Sequence, residues 1–303
     1  MKRITLCLLF MTLCSSFSLL AEDPSKKRKD YGDIKSGFVI GNISCQMGNN
    51  LFQVAATLAY GWEHQIEAYF PGLAGNIPHL QHVFSRCNTN CPEGAFTTWA
   101  EPSHKYHPIP FKNNVMLDGY FQSEKYFQNY RQKIIEHLEP RKEDLNYIMD
   151  KYGHLLTQPK TVGVHLRWYF EDGAGSVFIQ YGKDYLKKAM AQFPKDSLFI
   201  ICSNNPAFAR KNMPEHITNV IFIENEADYI DLYLLSLCKH NIITNSTFGW
   251  WGAWLNNNPR KIVIAPYTWL HPVNGPITKD VVPKSWEKIK AKWGPVSKPE
   301  TYQ

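Results

Sequence analysis

Two short stretches carry residues whose types and spacing suit a phosphate-bearing ligand. VGVHLRW, residues 162 to 168, reads as a strand whose exit presents His165 and Arg167 with the same side-chain parity. A guanidinium offers a fork of donors matched to a diphosphate, and its fixed charge stabilises a departing phosphate more in the transition state than in the ground state. His165 would orient backbone or sugar. NSTFGWWGAWL, residues 245 to 255, sets Asn245, Ser246, Thr247 and Phe248 ahead of three tryptophans at helical spacing. Ser246 and Thr247 therefore stand at a helix start, where unpaired N–H groups and the helix dipole favour a phosphate oxygen. Each feature also has a plainer reading. Ser246 or Thr247 can be an N-cap worth about 1 kcal/mol, Arg167 a surface charge, His165 a satisfied core histidine, and the tryptophans core.

GNNLFQ, residues 48 to 53, reads as a second glycine-led turn into a helix, with Gly48 at the turn and Asn49 and Asn50 able to donate across a cleft. It lacks the spaced glycines of a dinucleotide fingerprint. Asp231 opens a further helical stretch, DLYLLSLCKH, and can cap that helix or accept from a guanine edge or a ribose. Glu124, Glu171, Asp172 and Asp118 are candidates for a general base by position, each weighed against an ordinary surface carboxylate.

The elements that position these residues follow from the hydrophobic rhythm. From Thr161 onward TVGVHLR, LFIICSN, VIFIE, NIITN and KIVIAP alternate with helical stretches, which predicts a buried parallel sheet covered on both faces. Ligands of such sheets bind beyond the carboxyl ends of the strands, so the segments after TVGVH, LFIIC and NIIT form the expected binding edge. Before residue 155, FVIGNIS and IEAYFPG read as strands, residues 71 to 113 as loop-rich, and RQKIIEHLEPRKEDLNYIMDKY as helical. The expected divisions are an N-terminal segment at 1–30, an N-terminal domain at 31–155, a C-terminal domain at 156–285 and a tail at 286–303.

The 303 residues are 44% hydrophobic and 20% charged, as in a globular chain of two domains. The net charge of +6 comes partly from Lys26 to Lys29 and implies no nucleic-acid surface. Lys2 and Arg3 precede an apolar run from Ile4 to Ala21, which can be a cleaved signal, a signal anchor, an anchor with the chain facing the cytoplasm, or a non-membrane segment. Outside it lie Cys45, Cys87, Cys91, Cys202 and Cys238, an odd number that gives no full disulfide framework. Cys87 and Cys91 can form a local bridge or stay as two thiols, and no metal site is expected. Two sequons, Asn42-Ile-Ser44 and Asn245-Ser-Thr247, fall inside the expected ligand site, which speaks against a glycosylating lumen.

Taken together, GNNLFQVAATLAY, LDGYFQSEKYF, VGVHLR and DLYLLSLCKHNIITNSTFGWWGAWLN resemble the α-1,2-fucosyltransferases of glycosyltransferase family 11, with a relation to the protein O-fucosyltransferases. The resemblance covers most of residues 38 to 270. It implies a GT-B fold, two Rossmann-like domains with parallel sheets facing across a cleft. The implied reaction is inverting, metal-independent transfer from GDP-β-L-fucose to the 2-hydroxyl of a terminal β-galactoside, with no cofactor beyond the donor substrate. By position Arg167 would hold the β-phosphate, Ser246, Thr247 and Phe248 the diphosphate end, Asp231 the nucleoside, and Asn49 would reach the phosphates from the N-terminal domain. Trp168 stands where the family has a second arginine, and Cys45, Gln46 and Met47 precede Gly48 in place of a glycine pair. These departures keep two rivals open, transfer to a peptide hydroxyl or another sugar, and a non-catalytic binder of glycans or nucleotide sugars.

Overall fold

The computed structural model describes residues 36–169, 178–270 and 278–294. The N-terminal segment to residue 30, Glu171, Asp172 and the tail beyond 294 lie outside them. Among the described residues no helix is long and apolar enough to cross a membrane.

The first half runs β1 (Phe38–Gly41), α1 (Met47–His64), β2 (Glu67–Tyr69), α2 (Ile77–His82), β3 (Thr97–Ala100), β4 (Val115–Asp118), α3 (Arg131–His137) and α4 (Lys142–Leu156). Its strands form a parallel sheet in the order β2-β1-β4-β3. The second half continues β5 (Thr161–His165), β6 (Gln180–Tyr181), α5 (Lys183–Met190), β7 (Leu198–Cys202), α6 (Pro206–Asn212), β8 (Val220–Phe222), α7 (Asp228–Leu237), β9 (His240–Ile243), α8 (Thr247–Leu255), β10 (Val263–Pro266), α9 (Thr278–Val281), β11 (Glu287–Ile289) and β12 (Trp293–Gly294). Six of these strands form a second parallel sheet, β11-β10-β9-β5-β7-β8, and β12 pairs antiparallel with β6. The fold is thus α/β with two parallel sheets, as the GT-B resemblance implies.

Every residue of β5 and β7 is buried, which is why these strands read as unbroken apolar runs. In register His165 sits beside Cys202 on one side and Ile243 on the other, so β5, β7 and β9 end in one row. The chain leaves all three strands along a single edge, as the rhythm predicts.

Two local features differ from the sequence expectation. The single helical stretch at residues 131 to 152 is two helices, because Pro140 has no N–H to donate and bars the residue before it from helical geometry. Gly48 lies inside the first turn of α1 rather than in a turn before it. A Cβ there would come within 2.5 Å of the Phe248 nitrogen and of Thr247 Oγ1, so the glycine marks the place where the starts of α1 and α8 touch.

The tryptophans of α8 are core, and the core they complete joins the two halves. Trp250 packs 4.4 Å, centroid to centroid, from Phe52 of α1, and Trp251 stacks on Phe127 at 5.4 Å. Their polar edges are largely paired, with Trp250 Nε1 donating to the Val281 carbonyl at 2.7 Å and Trp254 Nε1 to Glu124 Oε2 at 3.3 Å. Burying three indoles against α1 fixes where α8 begins.

Candidate active site

The edge where β5, β7 and β9 end opens into a cleft of about 840 Å³. Its walls carry Gly48, Asn49, His165, Arg167, Asp231, Asn245, Ser246, Thr247 and Phe248. Residues from four separated stretches of sequence are therefore brought to one cavity, with a strand exit and a helix start on the same wall.

On that wall the backbone is held by the strands. The Arg167 N–H donates to Thr244 Oγ1 at 3.1 Å, tying the exit of β5 to that of β9. Ser246 has the extended geometry of an N-cap, yet its hydroxyl makes no capping bond to α8. The first amides of α8 consequently receive no side-chain cap, and the plain N-cap reading is not realised here. Asn245 is a structural post. Its amide donates to the Ile179 and Trp269 carbonyls at 3.1 and 2.9 Å, its backbone carbonyl accepts from the Tyr169 hydroxyl, and its Oδ1 is buried without a partner.

His165 is 4% exposed, and burial, reinforced by the neighbouring Arg167 charge, pushes its pKa down to about 3. The ring is neutral near pH 7 and cannot act as a phosphate-binding cation. It lies 5.0 Å from the Phe248 ring, and a Cβ on Gly249 would meet its Nδ1 at 2.7 Å. His165 therefore positions the first turn of α8 by packing, while Arg167 supplies the charge. The Arg167 guanidinium also reaches across to Gln46 Oε1 at 3.4 Å.

Farther along the cleft, burial raises the pKa of Asp231 to about 7, opposed by a hydrogen bond from Cys202. Its Oδ1 is buried with no protein partner. An acceptor held so, in a cleft with a cation and a helix start on another part of its wall, suits a heterocycle with adjacent N–H donors.

The opposite wall comes from the first half. Asn49 accepts from Gln122 Nε2 at 3.0 Å. Asn50 does not reach across the cleft, because it is buried and donates to the Ser44 carbonyl at 2.7 Å. Gln53 joins this scaffold, accepting from the Ser44 N–H and donating to the Gly119 carbonyl, both at 3.0 Å. Cys45, Tyr120 and His104 complete the wall, with Cys45 Sγ 3.6 Å from the Tyr120 hydroxyl.

Residues 87–290, more than half of the chain, match the family described as Glycosyl transferase family 11. The chain belongs to glycosyl transferase family 11. It is 30% identical over 174 residues to the Escherichia coli O-antigen biosynthesis glycosyltransferase WbnK, covering 53% of this chain and 57% of that one. It is 28% identical over 191 residues to an Escherichia coli alpha-1,2-colitosyltransferase, covering 59% and 64%. To the rabbit (Oryctolagus cuniculus) galactoside alpha-(1,2)-fucosyltransferase 2 it is 25% identical over 252 residues, covering 75% and 69%. The chain thus spans less than two thirds of the length of the two bacterial relatives. Among solved structures, NodZ alpha-1,6-fucosyltransferase co-crystallized with GDP is similar with a TM-score of 0.49 at 14% identity, covering 76% of this chain and 95% of that one.

Within this family 11 chain, several residues singled out in the sequence stand away from the cleft. Trp168, at the position of the second arginine, is buried in the core and stacks on Phe208 at 6.4 Å. It does not replace a second cation. Glu124 lies under the last turn of α8, where burial raises its pKa against the opposing effects of Trp254, Arg131 and Lys261. Asp118 accepts from Asn42 Nδ2 at 2.8 Å and is also off the cleft wall. Cys87 and Cys91 are free thiols. Among the described residues no three His, Cys, Asp or Glu side chains converge as a metal site. Ser203 and Asn204, which follow β7 on the wall, could have been found from the strand-end rule that exposed Arg167 and Ser246. His104 gave no comparable signal, and Gln46, Tyr120 and Gln122 lie in or beside stretches that carry the family resemblance without their types giving them a role.

Proposed function

We propose that this family 11 chain transfers L-fucose from GDP-β-L-fucose to the 2-hydroxyl of a terminal β-galactoside, inverting the anomeric centre and forming an α-1,2 linkage. The observation that carries this reading is the shared cleft of Arg167 and the start of α8, with Asp231 farther along the same wall. Arg167 takes the β-phosphate, the uncapped amides of α8 with Ser246 and Thr247 take the diphosphate oxygens, and Asp231 accepts from the guanine edge. Galactose O2 forms a bond to the anomeric carbon as the bond to the β-phosphate breaks, GDP leaves with the electron pair, and the hydroxyl proton passes to a general base or to water. Charge accumulates on the departing diphosphate, where the guanidinium and the helix start already stand, so stabilisation is greatest in the transition state.

A second reading, transfer of colitose in place of fucose, is favoured by the colitosyltransferase relative. Incubating the full chain with GDP-fucose and a panel of galactosides, with linkage assignment of the product, tests the proposal. An α-1,2-fucosylated galactoside is expected. A product formed on peptides in place of sugars would contradict the acceptor assignment, and GDP-fucose binding without GDP release would contradict transfer. We further propose that residues 1–30 associate the chain with a membrane, or export it, through the apolar run from Ile4 to Ala21.

A further inference from the structure

We propose that Tyr120 and His104 form the platform on which the acceptor sugar lies, with Gln122 and Asn49 beside it to take hydroxyl hydrogen bonds. The inference rests on the fucosyl-transfer reading and assigns the acceptor half of the same cleft. Both rings line the cleft from the first half of the chain, near parallel at 18° with centroids 5.8 Å apart. Neither belongs to the core, since His104 is exposed and Tyr120 half-buried. Two aromatic rings on a cleft wall offer a surface to a ligand with an apolar face.

The backbone under Tyr120 is built with care. Phe121, a bulky residue, has φ of 50°, in the left-handed region that normally calls for glycine. Such strain persists where the surroundings hold it and concentrates at functional sites. Here one carboxylate does the holding, because Glu101 Oε2 accepts from the Tyr120 and Phe121 N–H groups at 2.8 and 3.0 Å. Its Oε1 accepts from the Tyr126 hydroxyl at 3.1 Å, and that hydroxyl accepts from the His107 N–H at 3.1 Å. The His104 loop and the Tyr120 turn are thus tied to a single side chain.

The sugar class follows from ring chemistry. A galactose-type pyranoside carries O4 axial, which gathers the hydrogens on C3, C4 and C5 onto one face and makes that face apolar. Such a face fits an aromatic plane, and the opposite hydroxyl-bearing side is left to polar groups. Asn49 stands at the junction of the two walls, one residue from Gly48 in its tight approach to Thr247 and Phe248. A sugar on the platform is therefore adjacent to the proposed diphosphate grip.

The test uses the full chain with GDP, GDP-fucose, methyl β-D-galactopyranoside and its 4-epimer, methyl β-D-glucopyranoside. Tyr120→Ala is expected to raise the galactoside KM about tenfold, with the GDP dissociation constant unchanged within about twofold. Tyr120→Phe keeps the ring and is expected to stay near wild type, which separates stacking from the Cys45 contact. The 4-epimer is expected to be the poorer acceptor for the wild type and to lose that disadvantage in Tyr120→Ala. An unchanged KM in Tyr120→Ala would overturn the proposal, as would a matching loss of GDP affinity, which puts the ring in the donor site. If the cleft does not hold a GDP-sugar, Arg167→Ala leaves GDP affinity intact and the transfer reading fails by itself. The platform is then judged by saturation-transfer NMR to the methyl galactoside, with transfer lost in Tyr120→Ala supporting it and no transfer in wild type refuting it.

Discussion

The two walls of the cleft are built differently. The Arg167 wall hangs from strand ends buried on both faces, and its residues are fixed by the β5, β7 and β9 register. The Tyr120 wall is made of turns, with Cys45 and Phe121 both at positive φ (67° and 50°) and the rings half-buried or exposed. A parallel sheet presents the same edge in any chain that builds it, so it suits the invariant part of a donor, the diphosphate. Turns held by individual side chains can change one at a time, so they suit the variable part of a ligand pair, the proposed acceptor.

The sharpest way to break this contrast is to remove the charge from the rigid wall. Arg167→Ala is expected to cut turnover about a hundredfold or more in a transfer assay, on the scale of a lost oxyanion donor. Where the walls touch, Gly48→Ala pushes a Cβ to 2.5 Å from the Phe248 nitrogen, a backbone atom that cannot swing away. A stability loss of about 1–3 kcal/mol is expected by denaturant titration, with weakened GDP binding; a variant normal in both would show that the helix starts do not have to meet.

Asp231 adds a pH dependence to the rigid wall. With its pKa near 7 in the fold and about 4 in an unfolded chain, the native state holds a proton the unfolded chain has released. Its contribution to stability therefore falls as pH rises from about 4 to about 7 and is level above that. Guanine donors favour the ionised carboxylate, so GDP affinity should rise over the upper part of the same range. Asp231→Asn is expected to flatten both profiles, measured by thermal melts and calorimetry across pH. The smallest effect belongs to Glu124→Gln, which keeps an acceptor for Trp254 Nε1 and stands off the cleft. Turnover within about twofold of wild type is expected, and a large loss would restore Glu124 as a general base.

The same contrast explains what could be read from the amino-acid sequence. TVGVH, LFIIC and NIIT announce their strands by unbroken apolar runs, and the strand-end rule then delivers Arg167 and Ser246 without further information. The tryptophan spacing correctly marks one packing face, though not that its partner is Phe52 of the other half. His104 left no trace, and Tyr120 lies in LDGYFQSEKYF, which carries the family resemblance but gives the ring no role; the turn that places it depends on Glu101 reaching backbone amides 19 and 20 residues away. No periodicity encodes such a contact. The chemistry of His165 was not legible either, since its type fits several roles and only burial, reinforced by Arg167, makes it neutral.

The grip of Arg167 and the start of α8 on a diphosphate is tested most directly by calorimetric titration of the full chain, wild type and Arg167→Ala, with GDP and with guanosine. Wild type is expected to bind GDP at least about tenfold tighter than guanosine, a difference of about 1.4 kcal/mol, and Arg167→Ala to lose most of that preference while keeping its guanosine affinity. An undiminished preference for GDP in Arg167→Ala would contradict the placement of the diphosphate beside this guanidinium.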